Sequence, residues 1–273
     1  AMILTGGPGT GKTTVVRALT ALFKKLYPYQ RIACCAPTGR AAKRLGELCG
    51  TEASTIHRLL ETGFDPHSGR LVFAKNSYAP LQADAVIVDE TSMVDVPLMA
   101  ALLDALEGDC RLVLVGDPDQ LPSVGPGNLF ADLIRSKVVP TVRLTEIFRQ
   151  AAQSAIVRSA HLVNRGELPD LRANDSDFFF LSRRDPQSVL DTVVDLCRRR
   201  LPERMGIPAD QIQVLSPTRK GPAGTIRLNR SLQLSLNPPS PDRREIQWGE
   251  RLFRQGDRIM QTRNDYDVGW EKE

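Results

Sequence analysis

A glycine-rich stretch near the start of the chain fits the pattern G-x-x-x-x-G-K-[ST] over residues 6–13, called here the phosphate loop. Glycines let consecutive backbone amides turn around phosphate oxygens, and the N-terminus of a following helix adds partial positive charge. In such a loop Lys12 would reach the β- and γ-phosphates of ATP, and Thr13 would be a ligand of Mg²⁺. The residues predicted to contact the nucleotide are Gly7, Pro8, Gly9, Thr10, Gly11, Lys12, Thr13 and Thr14.

The alternative for this stretch is an ordinary glycine-rich turn. An apolar strand precedes it, and a helix with apolar-periodic residues follows it. That context is the one in which phosphate loops occur, and it favours nucleotide binding.

An Asp-Glu pair directly follows the apolar run AVIV at residues 85–88. Asp89 could hold Mg²⁺ through its water shell, and Glu90 could polarise the water that attacks the terminal phosphate. A helix cap is the alternative, since aspartate is a good N-cap residue. Together with the phosphate loop, the pair predicts hydrolysis of the bound nucleotide.

Two further side chains could act on the transferring phosphate. Gln120 follows GDPD and could contact the γ-phosphate and the attacking water, although a surface turn residue is the alternative. Arg149 lies in LTEIFRQ, where two halves of the chain meet, and an arginine supplied by another domain stabilises the transferring phosphate. A salt bridge on a helix surface is its alternative. The predicted catalytic residues are Lys12, Asp89, Glu90, Gln120 and Arg149, and the predicted metal ligands are Thr13 and Asp89.

The elements that would position these residues alternate between apolar strands and helices, which predicts the α/β class with a doubly wound parallel sheet. The carboxyl ends of parallel strands lie at one edge of such a sheet, so the motifs should gather there. The predicted strands of the first half are at 2–4, 31–36, 85–88 and 111–115, with helices at 40–48 and 96–106.

Residues 61–80 interrupt this alternation with a glycine- and proline-containing pattern that predicts a β-hairpin turning near 65–69. A second α/β alternation begins near residue 150. Its predicted strands are at 178–181, 211–215 and 257–262, and its predicted helices are at 151–164 and 186–200. The predicted domains are therefore 1–148, with the hairpin inserted, and 149–273.

Composition restricts the class of protein further. The chain has 273 residues, a net charge of +4 and no apolar run near the ~20 residues that a membrane span needs. Its five cysteines lack metal-ligand spacing and indicate reduced thiols. We therefore expect a cytoplasmic protein without a membrane partner, in which any surface that binds nucleic acid is local.

Eight motifs, in order, resemble those of superfamily-one DNA helicases of the RecD/TraA type, and the resemblance covers most of the chain. It implies P-loop NTPase domains that are RecA-like, the second incomplete. It also implies ATP-driven 5′→3′ movement on single-stranded DNA with duplex unwinding, in DNA repair or recombination. The motifs are GGPGTGKTT, CAPTGRAAKRL, TIHRLL, VIVDETSMVD, LVGDPDQLPSVGPG, LTEIFRQ, VLSPTRKGPAGT and GDRIMQTRNDYD.

The same resemblance assigns positions to DNA. It implies that the 61–80 hairpin is a strand-separating pin, and that the partners are single-stranded DNA and its junctions with duplex. The residues that fall on motifs lining the single-strand path are Pro37, Thr38, Arg40, Thr55, His57, Ser216, Thr218 and Arg219.

The chain departs from the helicase pattern at both ends. An adenine-reading glutamine segment before the phosphate loop does not occur, nor do segments resembling HKSQG and YTAxTRA. We expect a piece of a longer helicase that alone binds Mg-ATP weakly and does not unwind DNA. A nucleotide-binding switch module without translocation is the alternative function. A small-molecule kinase would share the phosphate loop but would not explain GDPDQLP or PTGRAAKRL.

Overall fold

The computed structural model describes residues 1–64, 71–146, 153–172 and 177–260. The chain divides into two compact units, Ala1–Phe180 and Leu181–Glu273. Within the described ranges, every helix is too short or too polar to cross a lipid bilayer.

The first unit is built on a sheet of six parallel strands. Their order across the sheet is β3 (Ala53–Thr55), β2 (Ile32–Ala36), β6 (Ala85–Val88), β7 (Arg111–Gly116), β1 (Met2–Gly6) and β8 (Thr141–Leu144). All four residues of β6 are buried, as expected for a strand that is covered on both faces. The predicted parallel α/β sheet is therefore confirmed. The strands of this unit are β1 (Met2–Gly6), β2 (Ile32–Ala36), β3 (Ala53–Thr55), β4 (Thr62–Phe64), β5 (Leu71–Phe73), β6 (Ala85–Val88), β7 (Arg111–Gly116) and β8 (Thr141–Leu144).

Helices cover both faces of this sheet, because successive residues of a strand point to opposite sides. Val86 and Val88 pack into one apolar cluster with Leu102 and Phe130, while Ile87 packs into another with Leu45. The helices of the first unit are α1 (Lys12–Leu26), α2 (Gly39–Cys49), α3 (Ile56–Leu59), α4 (Val96–Asp104), α5 (Leu129–Ser136) and α6 (Ala155–Asn164).

Strands β4 and β5 form a separate antiparallel pair, in which Thr62 lies opposite Phe73. At its open end Ala74 N–H donates to the carbonyl of Glu61 at 3.3 Å. The predicted hairpin strands are confirmed, and the turn predicted near 65–69 lies outside the described residues.

The second unit is mainly helical in its described part, and the predicted helix at 186–200 is confirmed. Asp185 caps α7 by accepting from Ser188 N–H at 2.9 Å, and Pro186 occupies the first helical position. Strands β9 and β10 form an antiparallel hairpin. The elements are α7 (Pro186–Asp195), a π-helical turn (Leu196–Arg200), α8 (Leu201–Met205), α9 (Thr225–Leu236), β9 (Glu245–Trp248) and β10 (Arg251–Arg254).

The strands predicted at 178–181, 211–215 and 257–262 are wrong as far as the structure describes them, and 261–262 lie outside it. An apolar run indicates burial, but a strand also needs a ladder partner for its backbone. The guanidinium of Arg258 instead donates to the carbonyl of Asp210 at 2.9 Å. Asp257 lies in a turn, where its N–H donates to the carbonyl of Arg254 at 2.9 Å.

Candidate functional site

The phosphate loop connects β1 to α1 with two left-handed glycines. Gly9 has φ 76° and Gly11 has φ 82°, a region that residues with a Cβ atom rarely enter. Gly11 is the N-cap of α1, whose first turn carries no acidic side chain. The first amides of a helix lack partners within the helix, so this end of α1 presents N–H groups to an anion.

Lys12 and Thr10 hold the loop closed on itself. The Lys12 ammonium donates to the carbonyl of Gly6 and, at 3.1 Å, to that of Gly7. Thr10 Oγ1 also donates to the Gly7 carbonyl at 2.8 Å. A Cβ atom on Gly6 would lie 2.8 Å from the carbonyl oxygen of Leu144, so the end of β1 packs too tightly for any other residue.

Asp89 and Glu90 come directly after β6, two strands away from β1 in the sheet. The Asp89 N–H donates to the carbonyl of Cys35 at 2.9 Å, and its Oδ1 accepts from Glu90 N–H at 2.9 Å. Glu90 itself has φ 52° and ψ 41°, a strained conformation for a residue with a side chain. Such strain persists where the surroundings enforce it, and here it sets the direction of the Glu90 side chain.

Burial raises the pKa of both carboxyl groups above their ordinary values. For Asp89 the amide of Glu90 and the charges of Lys12 and Arg44 oppose this rise without cancelling it. For Glu90 burial is again the largest cause, and the neighbouring Asp89 charge adds to it. The two carboxylates are thus held near the loop lysine at a cost in the free energy of folding. Raised carboxyl pKa values of this kind are common at catalytic sites.

We expect Asp89→Asn to raise the thermal midpoint of unfolding by a few degrees at neutral pH. The substitution keeps an acceptor for Glu90 N–H and removes the charge of the carboxylate. A gain of ~1 kcal/mol in the free energy of unfolding corresponds to a rise of about 2–4 °C in the thermal midpoint of a domain of this size. Because the folded-state pKa of Asp89 is raised, the destabilisation exists above that pKa and disappears as the pH falls below the ordinary pKa. The difference from wild type should therefore shrink on acidification.

Differential scanning calorimetry between pH 4 and pH 8 measures this difference. The matched control is Asp109→Asn, which removes an exposed carboxylate from the loop before β7. A midpoint for Asp89→Asn that is lower than wild type at neutral pH would contradict the expectation.

Gln120 and Asp117 follow β7, the strand between β6 and β1. The Gln120 N–H donates to the carbonyl of Asp117 at 3.2 Å, and the Gln120 side chain is exposed. Asp117 is only 2% exposed, and its Oδ1 accepts from Asp119 N–H at 3.1 Å. A charge on Asp117 also raises the pKa of Glu90, after the larger contributions of burial and Asp89.

The rest of the loop after β7 is fastened to the start of α4. Asp95 caps α4 by accepting from Leu98 N–H at 2.9 Å. A Cβ atom on Gly125 would lie 1.9 Å from Asp95 Oδ2, so the glycine is required for this contact. The Val96 N–H donates to the carbonyl of Pro126 at 3.1 Å. These contacts therefore join the segment that follows the acidic pair to the loop that carries Gln120.

The first set of residues predicted to bind DNA lies at the ends of β2 and β3, beside the strand that carries Asp89. Thr38 caps α2 by accepting from Ala41 N–H at 3.3 Å, and Thr55 caps α3 by accepting from Arg58 N–H at 3.1 Å. The His57 ring lies 6.2 Å from the Phe73 ring of β5. Arg40 is exposed and Pro37 is half-buried.

The second set lies in the other compact unit. Ser216 Oγ lies 3.1 Å from the carbonyl oxygen of Thr218 and 2.9 Å from that of Ala223, and its single proton is donated between them, which folds this segment into a compact turn. Thr218 and Arg219 are exposed. Arg149, the predicted arginine of the catalytic set, lies outside the described residues.

Sequence reasoning missed two charged residues of this site. Asp117 could have been found, because it directly follows the apolar run that ends at Gly116. The charge of Arg44 lowers the pKa of both Asp89 and Glu90, and no pattern in the sequence predicts this effect. Its nearness to the carboxylates depends on how α2 packs beside the sheet.

Two family profiles match the chain. Residues 1–126 match the family described as AAA domain. Residues 228–269 match the family described as ATP-dependent RecD-like DNA helicase SH3 domain. The second match contains the β9–β10 hairpin, which the sequence analysis did not predict. Polar and apolar residues alternate over Glu245–Trp248, and Gly249 follows them, which is the pattern that could have indicated the hairpin.

Two similar helicase proteins agree with these matches. The ATP-dependent RecD2 DNA helicase of Deinococcus radiodurans is 41% identical over 97% of this chain, which covers 34% of that protein. The RecBCD enzyme subunit RecD of Mycolicibacterium smegmatis is 35% identical over 97% of this chain, which covers 52% of that protein. Among solved structures, the Pif1 helicase of Candida albicans aligns with 62% of this chain and 42% of its own at 26% identity, with a TM-score of 0.48.

The resemblance to RecD-type helicases is confirmed by this agreement. It runs through nearly the whole chain, from the phosphate loop to the SH3 match. The chain spans between a third and about half of the length of these two relatives.

Proposed function

We propose that this chain is the motor part of an ATP-dependent DNA helicase that moves 5′→3′ on single-stranded DNA and unwinds duplex. One observation carries the proposal: the phosphate loop, the Asp89–Glu90 pair and the first predicted strand-contacting set lie at the carboxyl edge of one parallel sheet. That arrangement lets a change at the nucleotide reach the DNA through short loops. The 41% identity of this chain with an ATP-dependent RecD2 DNA helicase supports the same function. A place in DNA repair or recombination is part of the proposal.

The residues present fit ATP and Mg²⁺. The loop offers helix amides and Lys12 to phosphate oxygens, and Thr13 and Asp89 supply the hard oxygen ligands that Mg²⁺ prefers. When bound, the metal would neutralise charge that develops on the phosphates. Glu90, held by its strained backbone, would orient and polarise the attacking water, and Gln120 would contact the terminal phosphate from its exposed loop.

The DNA contacts that we propose carry little sequence information. Hydroxyls and backbone amides at strand ends suit phosphate contacts, which position a strand without reading its bases. Thr38 and Thr55 already accept from helix amides, so their part would be to fix the loops that meet the DNA. Arg40 is the exposed charge of this set, and Arg219 is that of the second set.

The experiment measures ATP hydrolysis by the full-length protein with and without single-stranded DNA, and unwinding of 5′-tailed and 3′-tailed duplexes. We expect stimulation by DNA and unwinding of the 5′-tailed substrate. Nucleotide binding without DNA stimulation would favour the alternative, a switch module that does not translocate. Preferential unwinding of the 3′-tailed duplex would contradict the proposed direction.

We expect that shortening the β4–β5 hairpin impairs unwinding but spares DNA-stimulated hydrolysis. Replacing residues 65–70 with Asn-Gly keeps both strands joined by a favoured two-residue turn and removes the tip that would separate duplex. Unwinding should fall about tenfold or more while hydrolysis changes less than about twofold. The matched control replaces the same six residues with a glycine-serine segment of equal length. Unwinding at the wild-type rate by the Asn-Gly variant would rule out a pin.

A further inference from the structure

A histidine of helix α6 touches the phosphate loop. A Cβ atom placed on Gly7 would lie 3.0 Å from Cε1 and 3.7 Å from Nε2 of His161, so the edge of the imidazole ring already contacts the Gly7 backbone. The loop glycines that need a left-handed conformation are Gly9 and Gly11. At Gly7 it is the close approach of the ring that makes a Cβ atom tight, since the ring would have to shift by a few tenths of an ångström.

Hydrogen bonds and packing hold helix α6, which carries this ring. Ser154 caps α6 by accepting from Val157 N–H at 3.3 Å, and Asp177 accepts from Ser154 Oγ at 2.6 Å and from Ala155 N–H at 2.7 Å. Ala155 and Ser159 are buried, so the helix is packed as well as capped. The backbone of His161 is therefore held by a helix that is both capped and packed.

The Nε2 atom of His161 is buried and has no hydrogen-bond partner among the residues that the structure describes. Buried polar atoms in folded proteins are nearly always paired, and an unpaired one indicates strain or a missing ligand. A neutral imidazole can either donate or accept at this atom. Next to a loop that presents amides to an anion, the missing partner is a phosphate oxygen, to which Nε2–H would donate.

The position of Lys12 indicates which phosphate this is. Its ammonium lies 3.1 Å from the carbonyl oxygen of Gly7, the same residue that the His161 ring contacts. In loops of this pattern the lysine reaches the β- and γ-phosphates. His161 therefore approaches the loop at the end that holds the outer phosphates.

We infer that His161 is a phosphate-contacting residue whose Nε2 donates to the terminal phosphate of a bound nucleoside triphosphate, and so distinguishes the triphosphate from the diphosphate. The inference rests on the proposed nucleotide binding. It also gives α6 a role, because release of the terminal phosphate would remove the proposed partner of a buried nitrogen on that helix. Movement of α6 would then follow the state of the nucleotide.

The test measures equilibrium binding of a non-hydrolysable triphosphate analogue and of the diphosphate by full-length wild type and two variants. His161→Phe keeps a ring against Gly7 and removes both nitrogens, and His161→Gln offers an amide donor near the position of Nε2. We expect His161→Phe to weaken triphosphate binding about tenfold, equivalent to ~1.4 kcal/mol, and to leave diphosphate binding unchanged. His161→Gln should recover part of the loss. Val163→Ala, on the exposed side of α6, is the matched control.

A second measurement needs no variant: the ¹⁵N chemical shift of His161 Nε2 in the wild-type protein, recorded with each nucleotide. It should move with the triphosphate analogue and stay unchanged with the diphosphate. Equal responses to both nucleotides, or none to either while both bind, would overturn the inference and leave the proposed function standing. Failure of the wild-type protein to bind either nucleotide would overturn both.

Discussion

Lys12→Ala should reduce ATP hydrolysis by the full-length protein about 10²–10³-fold or more, the range for loss of one preorganised electrostatic group. In the structure the Lys12 ammonium is held inside the loop by the carbonyls of Gly6 and Gly7, where the outer phosphates would bind. Alanine keeps the helix but removes this charge. It also removes an attraction that opposes the raised pKa of both Asp89 and Glu90.

Steady-state hydrolysis and nucleotide affinity are the measurements for this variant. Lys25→Ala is the matched control, because it removes the same charge from the last turn of the same helix. Circular dichroism establishes that both variants are folded. Turnover by Lys12→Ala within a few-fold of wild type would show that residues 6–13 are not a catalytic phosphate loop.

Glu90→Gln should retain nucleotide binding and lower hydrolysis about 10²–10⁴-fold, the usual contribution of a general base. Glutamine keeps the shape of the side chain in the strained backbone position of Glu90 and removes the carboxylate that would accept a proton. It also removes the charge of one of two adjacent half-buried carboxylates, so nucleotide affinity should stay equal or rise.

The measurements are single-turnover hydrolysis and the dissociation constant for ATP. Glu107→Gln, an exposed glutamate after α4, is the matched control. Loss of ATP affinity with hydrolysis largely retained would assign Glu90 to binding rather than to catalysis.

Local patterns in the sequence were sufficient to predict β1, β2, β6 and β7 of the first unit, whereas β3, β8 and α5 were not predicted. The run AVIV predicts a buried strand at 85–88, and β6 is Ala85–Val88. Glycine spacing predicts the phosphate loop, because backbone conformation is a property of a few consecutive residues. The gathering of loop and acidic pair at one edge also follows, since parallel strands place their carboxyl ends together.

The same reasoning failed where a strand depends on a distant partner. The apolar run at 178–181 forms no β-ladder within the part of the chain that the structure describes, and Phe179 and Phe180 are about half exposed. No strand was predicted at residues 245–254, yet they form the β9–β10 hairpin. Hydrophobicity is local to a segment, whereas pairing is decided by which backbone lies beside it.

The sequence by itself determined the phosphate loop, the acidic pair, the alternation of strands and helices and the resemblance to RecD-type helicases. Only the tertiary structure decided the strand order that places β7 between β6 and β1, the burial that raises the pKa of Asp89, and the contact of His161 with Gly7. The physical reason is that motifs are short stretches of covalent chain. Burial, charge proximity and an unpaired nitrogen arise only when distant segments pack against one another.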